Sequence, residues 1–153
     1  MSALGALVLL KGYTDKQKTK LEVCRELLAF ISCARTRIGD FLEPISDLAN
    51  CAELPLLEKH GFLSLIREKN SLSDAFLFLA SQVSFSENEK ALISRAFSAV
   101  GESYADGGVR ALDKLSEDFG KLVDDMQNQV PKNIRVASTL AATAILGLVI
   151  LLL

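Results

Sequence analysis

The sequence ends in an uncharged apolar run, residues 136–153, and this run constrains the fold more than any other feature. It reads VASTLAATAILGLVILLL, with no charge, no proline and one glycine. As an α-helix it would span roughly 27 Å, close to the ~30 Å hydrocarbon core of a bilayer. A buried core helix is the alternative, but a helix that is apolar on every face is rare in a chain of this size. The run therefore predicts a C-terminal transmembrane helix within residues 134–153.

The residues around this run predict its role as a membrane anchor. Lys132 and Arg135 precede it and are predicted to set its topology, because basic residues stay on the cytoplasmic side of a membrane. Everything before residue 136 is therefore expected to face the cytoplasm. The residues predicted to contact lipid are spread along the run: Val136, Leu140, Ile145, Leu148 and Leu153.

A second apolar segment lies at the other terminus, within residues 1–12. Residues 3–10 read ALGALVLL and would span only about 12 Å as a helix, too little for a bilayer. A signal peptide is disfavoured because its positive region should precede the apolar core, whereas here Lys11, Lys16 and Lys18 follow it. Two interpretations remain open: a shallow or truncated membrane anchor, or the end of a longer helix that begins upstream.

Residues 13–133 between these segments are predicted to form an all-α bundle of about five helices. Helix-forming residues dominate, and apolar residues recur at three- and four-residue spacing. The net charge of −2, with both signs interspersed, argues against nucleic-acid binding. Two long helices, at about 16–42 and 108–129, are predicted to flank three short ones and to lie antiparallel. Their apolar stripes include Leu28 and Leu115, which are therefore predicted to belong to the core.

Local signals predict where these helices begin and end. Thr14 or Asp15 is a candidate N-cap of the first helix, after a linker at Gly12 and Tyr13. Capping patterns begin at Ser71 and, more strongly, at Ser86, whose partner is Glu89. A turn is expected at residues 104–108. The remaining breaks are predicted at prolines and glycines: Pro44, Pro55, Gly61, Gly101 and Pro131.

The chain offers little catalytic equipment. His60 is the only histidine, and it lies in no recognisable nucleophile motif. The cysteines, Cys24, Cys33 and Cys51, lack the paired spacing of a zinc site and are expected to be reduced. We therefore predict no catalytic residue, no metal site, no cofactor and no small-molecule substrate.

Small residues in the apolar run form a further pattern. Thr139, Thr143 and Gly147 share a helix face at four-residue spacing, which favours close approach of two membrane helices. This pattern leaves a homo-oligomer open.

Taken together, the layout resembles the stage III sporulation protein AB family of endospore-forming Firmicutes. The resemblance rests on the Pro44 bend, on the segment 63–76 that closes in Asp74-Ala75-Phe76, and on the helix 86–100 with Gly101 after it. It rests most on a basic residue followed by an apolar run that ends in Ile150-Leu151-Leu152-Leu153. The chain departs from the family in its short N-terminal apolar segment, in Ala137-Ser138-Thr139 where the family is Gly-rich, and in Pro131.

The resemblance implies a non-enzymatic platform component of the channel between mother cell and forespore. Its place would be the mother-cell membrane around the forespore, with a bundle like the cytoplasmic domain of type II secretion and type IV pilus platform proteins. The implied partners are the sporulation ATPase, stage III sporulation protein AA, and other channel subunits.

Two other classes of function fit parts of the sequence. A tail-anchored helical regulator that binds partner helices would share the bundle and the anchor, but the absence of tryptophan disfavours it. A membrane-bound enzyme would have to use His60 or the scattered carboxylates, and substitution of His60 by alanine would then abolish its function.

Overall fold

The chain folds entirely into helices and their connections over the residues that the structure describes. The structure is a computed structural model that describes residues 3–41, 44–50, 52–102 and 108–152. The helices in these ranges are α1 (Ala3–Phe41), α2 (Ile45–Leu48), α3 (Pro55–Lys59), α4 (Phe62–Lys69), α5 (Leu72–Gln82), α6 (Glu87–Glu102) and α7 (Gly108–Leu152). The predicted all-α class is confirmed. The described helices number seven rather than about five, because residues 45–48 form a helix of their own and Gly61 divides residues 55–69 into two.

The two long helices, α1 and α7, form the antiparallel pair that the sequence predicts. Arg35, late in α1, pairs with Asp113, early in α7. At the other end of the pair, Lys18 and Leu21 line the same cleft as Ile134. This course brings the first turns of α1 and the last turns of α7 to the same end of the molecule.

The short helices α2–α6 pack beside the rest of this pair, and we call them the head. They reach α1 as far back as Lys20, which pairs with Glu89 of α6. An aromatic cluster joins four helices there: the ring centroids of Phe30 and Phe62 are 5.5 Å apart, and that of Phe97 lies 5.6 Å from both Phe62 and Phe76. Edge-on and tilted ring contacts of this kind add to the gain from apolar burial. We call the α1–α7 pair the hairpin. The head and the middle of the hairpin therefore share one core.

The predicted core stripes lie on the buried faces of the two long helices, but two of their members lie at the edge of the core. Leu27, Phe30 and Phe119 are fully buried. Leu28 and Leu115, predicted as core from their spacing, are only partly buried at its edge. Because α1 contacts the head on one side and α7 on another, its buried arc is wider than a single three-four stripe.

The predicted start of the first long helix is wrong. Helix α1 begins at Ala3 and continues through Gly12 and Tyr13, so these residues do not form a linker. The Thr14 hydroxyl donates to the carbonyl of Leu10, 2.9 Å away, and thus lies inside the helix instead of capping it. The apolar segment 3–10 is the first part of a single 39-residue helix.

The predicted interruption at Pro131 is also wrong. Helix α7 runs for 45 residues with Pro131 inside it. The proline is exposed, so water can solvate the carbonyl that loses its partner there. Gly101 likewise lies inside α6 instead of ending it. Residues 104–107 of the turn predicted at 104–108 lie outside the described residues.

The C-terminal part of α7 is helical, as the apolar run predicts, but its membrane role is not shown. Within the residues that the structure describes, no helix combines the length and the apolar character needed to cross a membrane. The prediction of a transmembrane helix at residues 134–153 therefore lacks support from the fold.

The other predicted helix ends are confirmed. Pro44 follows the end of α1 and precedes α2, and Pro55 opens α3 at its first position. Gly61 has a φ of 74°, a conformation that favours glycine, and a Cβ there would lie 3.2 Å from Cε1 of Phe78. The Ser71 hydroxyl accepts from the backbone N–H of Asp74 at 3.2 Å.

The strongest predicted cap, at Ser86, forms in both directions. The hydroxyl of Ser86 accepts from the N–H of Glu89 at 3.3 Å, and Glu89 accepts from the N–H of Ser86 at 2.7 Å. This exchange satisfies two backbone donors that the first turn of a helix leaves unpaired.

We predict that Leu27→Asp destabilises the full chain by about 4 kcal/mol, because it places an unpaired charge in the shared core. Leu28→Asp and Leu115→Asp should cost clearly less, because both positions lie at the edge of that core. Thermal unfolding followed by circular dichroism in neutral detergent would rank them. Leu77→Asp, at an exposed position of the head, is the control and should leave the melting temperature unchanged. An equal loss of stability in Leu27→Asp and Leu28→Asp would mean that the core is misplaced.

Candidate functional site

The most unusual surface of the molecule is the end where the termini of α1 and α7 meet. We call residues 3–10 of α1 and 136–152 of α7 the apolar end. Seven of the nine exposed large hydrophobic side chains among the described residues lie on it or next to it: Val8, Leu9, Tyr13, Val136, Leu140, Leu146 and Ile150. The four on α7 are between 59% and 72% exposed. Such clustered apolar exposure marks a surface that meets another protein or a membrane.

The predicted anchor residues are only partly described. Val136 and Leu140 are exposed on α7, as a lipid-facing role requires. The side chains of Ile145, Leu148 and Leu153 lie outside the described residues. For these three, the anchor role stays a prediction.

Basic side chains follow or precede the apolar segments of both helices along the chain. Lys132 and Arg135, the predicted topology-setting residues, are both exposed on α7. The exposed lysines of α1 lie at the same end of the antiparallel pair. We call these five residues the basic collar: Lys11, Lys16, Lys18, Lys132 and Arg135. Asp15, an exposed acidic residue of α1, lies between Lys11 and Lys16 in the sequence.

Two threonines inside the apolar end form hydrogen bonds within their own helix. The Thr139 hydroxyl donates to the carbonyl of Arg135 at 2.9 Å, and the Thr143 hydroxyl donates to the carbonyl of Thr139 at 2.9 Å. A hydroxyl bonded one turn back along its own helix presents little unsatisfied polarity. These bonds therefore lower the cost of placing this face against an apolar environment. Gly147 is exposed on the same helix.

His60, the residue that an enzymatic role would use, contacts Gln82 in the head. His60 Nδ1 lies 2.9 Å from Oε1 of Gln82, and Gln82 Nε2 donates to the carbonyl of His60 at 3.4 Å. This two-way contact holds the end of α3 against the end of α5. Within the described ranges, no group of three His, Cys, Asp or Glu side chains could hold a metal ion.

One buried ion pair joins α1 to α6. Lys20 Nζ lies 2.7 Å from Oε2 of Glu89, and both side chains are at most 16% exposed. The same carboxylate oxygen accepts the backbone N–H of Ser86. One group therefore caps α6 and also pairs with the lysine of α1. Substitution of only one of these two residues by a neutral one would leave the other charge buried without a partner.

The thiol of Cys24 is buried beside this pair. Burial raises its pKa to about 12, the negative charge of Glu89 adds to the rise, and Lys20 opposes it. A cysteine of this kind is an unreactive core residue. Cys33 is partly buried, and Cys51 lies outside the described residues.

The main tertiary cap of the head comes from Glu26 and was not predicted from the sequence. Both carboxylate oxygens of Glu26 accept backbone N–H groups at the start of α3, from Leu56 at 3.1 Å and from Leu57 at 2.9 Å. The negative charge also opposes the positive end of the α3 dipole. No local pattern could show this, because the cap comes from a residue 30 positions earlier in the chain.

A smaller apolar surface lies on the head. Leu77 is 65% exposed and Phe78 is 46% exposed, on neighbouring positions of α5. We call these two residues the head patch. Beside it is a cleft of about 320 Å³ between α5 and α6, with apolar lining from Leu72, Phe76 and Phe97. The head patch is the other exposed apolar feature of the described residues, separate from the apolar end in sequence and on a different helix.

Comparison with known proteins returned no match among protein-family models, curated proteins or solved structures.

We predict that Cys24 resists a thiol reagent at pH 8 in the folded chain and reacts at once after unfolding. With a pKa of about 12, roughly one thiol in ten thousand is ionised at that pH. The measurement is the labelling rate of a chain whose only cysteine is Cys24, after Cys33→Ser and Cys51→Ser. If the Cys24 thiol of the folded chain is labelled as fast as that of the unfolded chain, its buried position is contradicted.

The raised pKa of Cys24 also predicts that the free energy of unfolding falls as pH rises above about 9, since the thiol ionises in the unfolded chain before it does in the folded one.

Proposed function

We propose that this chain is a membrane-tethered, non-enzymatic docking platform. The apolar end would hold it at a membrane, and the head would bind a partner protein. The observation that carries the proposal is the clustering of exposed apolar side chains at one end of the hairpin, bordered by the basic collar. Lipid tails are the environment that such side chains favour, and collar residues would meet the anionic headgroups.

The sequence supports the tether beyond what the described side chains can show. Residues 136–153 carry no charged side chain, and α7 is helical as far as Leu152. The internal hydrogen bonds of Thr139 and Thr143 make this segment compatible with a hydrocarbon environment. On this proposal residues 134–153 cross or enter the bilayer, and residues 3–10 accompany them from the other helix.

We propose further that the platform is the one implied by the resemblance to the stage III sporulation protein AB family. The chain would then lie in the mother-cell membrane around the forespore, with its head in the cytoplasm. Its partners would be a secretion-type ATPase, the stage III sporulation protein AA of the resemblance, and other channel subunits. The head patch is the surface that we assign to the ATPase, because it exposes apolar area on the head, outside the apolar end.

The docking role is favoured over an enzymatic one by how the polar residues of the head, and those of α1 that contact it, are used. Glu26 caps α3, Glu89 pairs with Lys20, and His60 contacts Gln82. Each of these groups holds one helix against another. We therefore assign them to folding and assign the function to the exposed surfaces.

A deletion of the gene in its host tests the channel role. We predict that heat-resistant spores fall sharply in number and that engulfed forespores stall and shrink. Expression of the gene in the mother cell alone should restore sporulation. Normal spore numbers in the deletion strain would contradict the channel role.

Capture of the ATPase tests the docking surface. We predict that the full chain in neutral detergent retains the ATPase and that Leu77→Asp weakens this binding at least about tenfold, since a central apolar contact often contributes 1.4 kcal/mol or more. Asn128→Asp is the matched control, because it adds the same charge at an exposed site of α7 outside the head. Both variants should melt like the natural chain. Unchanged capture by Leu77→Asp would remove the head patch as the docking surface, and no capture by the natural chain would remove the ATPase as the partner.

A further inference from the structure

A cleft of about 830 Å³ separates α1 from α7 at the border between the head and the apolar end. Leu21 and Val130 lie on its head side and are buried. Ile134 is partly buried and Pro131 is exposed beside it. The lining ends at Ser138 and Thr139, within the apolar end. An apolar molecule in this cleft would therefore continue directly along the exposed face of α7.

Two basic side chains line this cleft from opposite helices. Lys18 comes from α1 and Arg135 from α7, and neither forms an ion pair with a described residue. The one carboxylate in the lining, that of Glu22, is already paired, with its Oε1 2.8 Å from Nη1 of Arg25. The cleft therefore offers two cations that have no protein partner within the described part of the chain.

We propose that this cleft binds an anionic glycerophospholipid. Its phosphate would lie between the ammonium of Lys18 and the guanidinium of Arg135, which donates hydrogen bonds to phosphate in a fixed planar geometry. The acyl chains would follow Ile134 and the exposed face beyond it. A zwitterionic lipid would bring a choline or ethanolamine cation toward the basic collar and would bind more weakly for that reason.

A lipid is favoured over a free phosphate ion by the composition of the cleft. A site for a small anion would need polar groups on most sides, whereas Leu21, Val130 and Ile134 line this one with hydrocarbon. The proposal rests on the proposed membrane tether, because the cleft can meet a lipid only if the apolar end lies in a bilayer.

The test uses native mass spectrometry of the full chain, released from neutral detergent after incubation with phosphatidylglycerol or phosphatidylcholine. The expected result is retention of phosphatidylglycerol about tenfold above phosphatidylcholine, with the preference lost in the double variant Lys18→Gln, Arg135→Gln. The matched control is Lys59→Gln, Lys69→Gln, which removes two exposed charges from the head and should keep the preference. Equal retention of both lipids by the natural chain, or an unchanged preference in the Lys18 and Arg135 variant, would overturn the proposal.

Two further measurements separate this inference from its alternatives. Flotation of the full chain with vesicles of phosphatidylcholine alone tests the tether: a chain that does not float contradicts the proposed function and, with it, the lipid site. A chain that floats but shows no lipid preference overturns the lipid site alone. If inorganic phosphate raises the melting temperature as much as phosphatidylglycerol does, the cleft is a phosphate site and the lipid assignment is wrong.

Discussion

The antiparallel pairing of α1 and α7 is the constraint on which the rest of this structure depends. Because Arg35 meets Asp113 at one end and Lys18 shares a cleft with Arg135 at the other, the two helices lie side by side between residues 18 and 35 of α1. Their apolar termini therefore reach the same end of the molecule. The same pairing provides the buried surface against which the short helices pack, with Phe30 and Phe119 in one continuous core.

The head is fixed to this hairpin by a few polar contacts at the edge of its apolar core. Glu26 holds the start of α3, and the pair of Lys20 with Glu89 holds the start of α6. Arg67 of α4 donates to Glu58 at 2.9 Å and so connects the two helices on either side of Gly61. Short helices gain little stability by themselves, so contacts that both satisfy a helix end and join it to a long helix are especially effective.

Prediction from the sequence is accurate where the determining interaction is local. The caps at Ser71 and Ser86 and the breaks at Pro44 and Gly61 depend on neighbouring residues, and all four were predicted. It failed where partners far along the chain decide the outcome.

Two interruptions were predicted where the helices continue: α1 runs through the exposed Gly12 and α7 through the exposed Pro131. Two other features depend on partners far along the chain. Glu26 of α1 caps α3, and Lys18 of α1 lines the same cleft as Arg135 of α7, so local patterns predict neither contact.

The most direct test of the account is the depth of the apolar end in a bilayer. A nitroxide attached at Leu140→Cys, in a full chain otherwise free of cysteine and reconstituted into vesicles, should collide more often with dissolved oxygen than with a water-soluble nickel chelate. The same label at Asn128→Cys should show the reverse, because that position lies on the head side of the basic collar. High nickel accessibility at both positions would contradict the membrane tether on which the proposed platform depends.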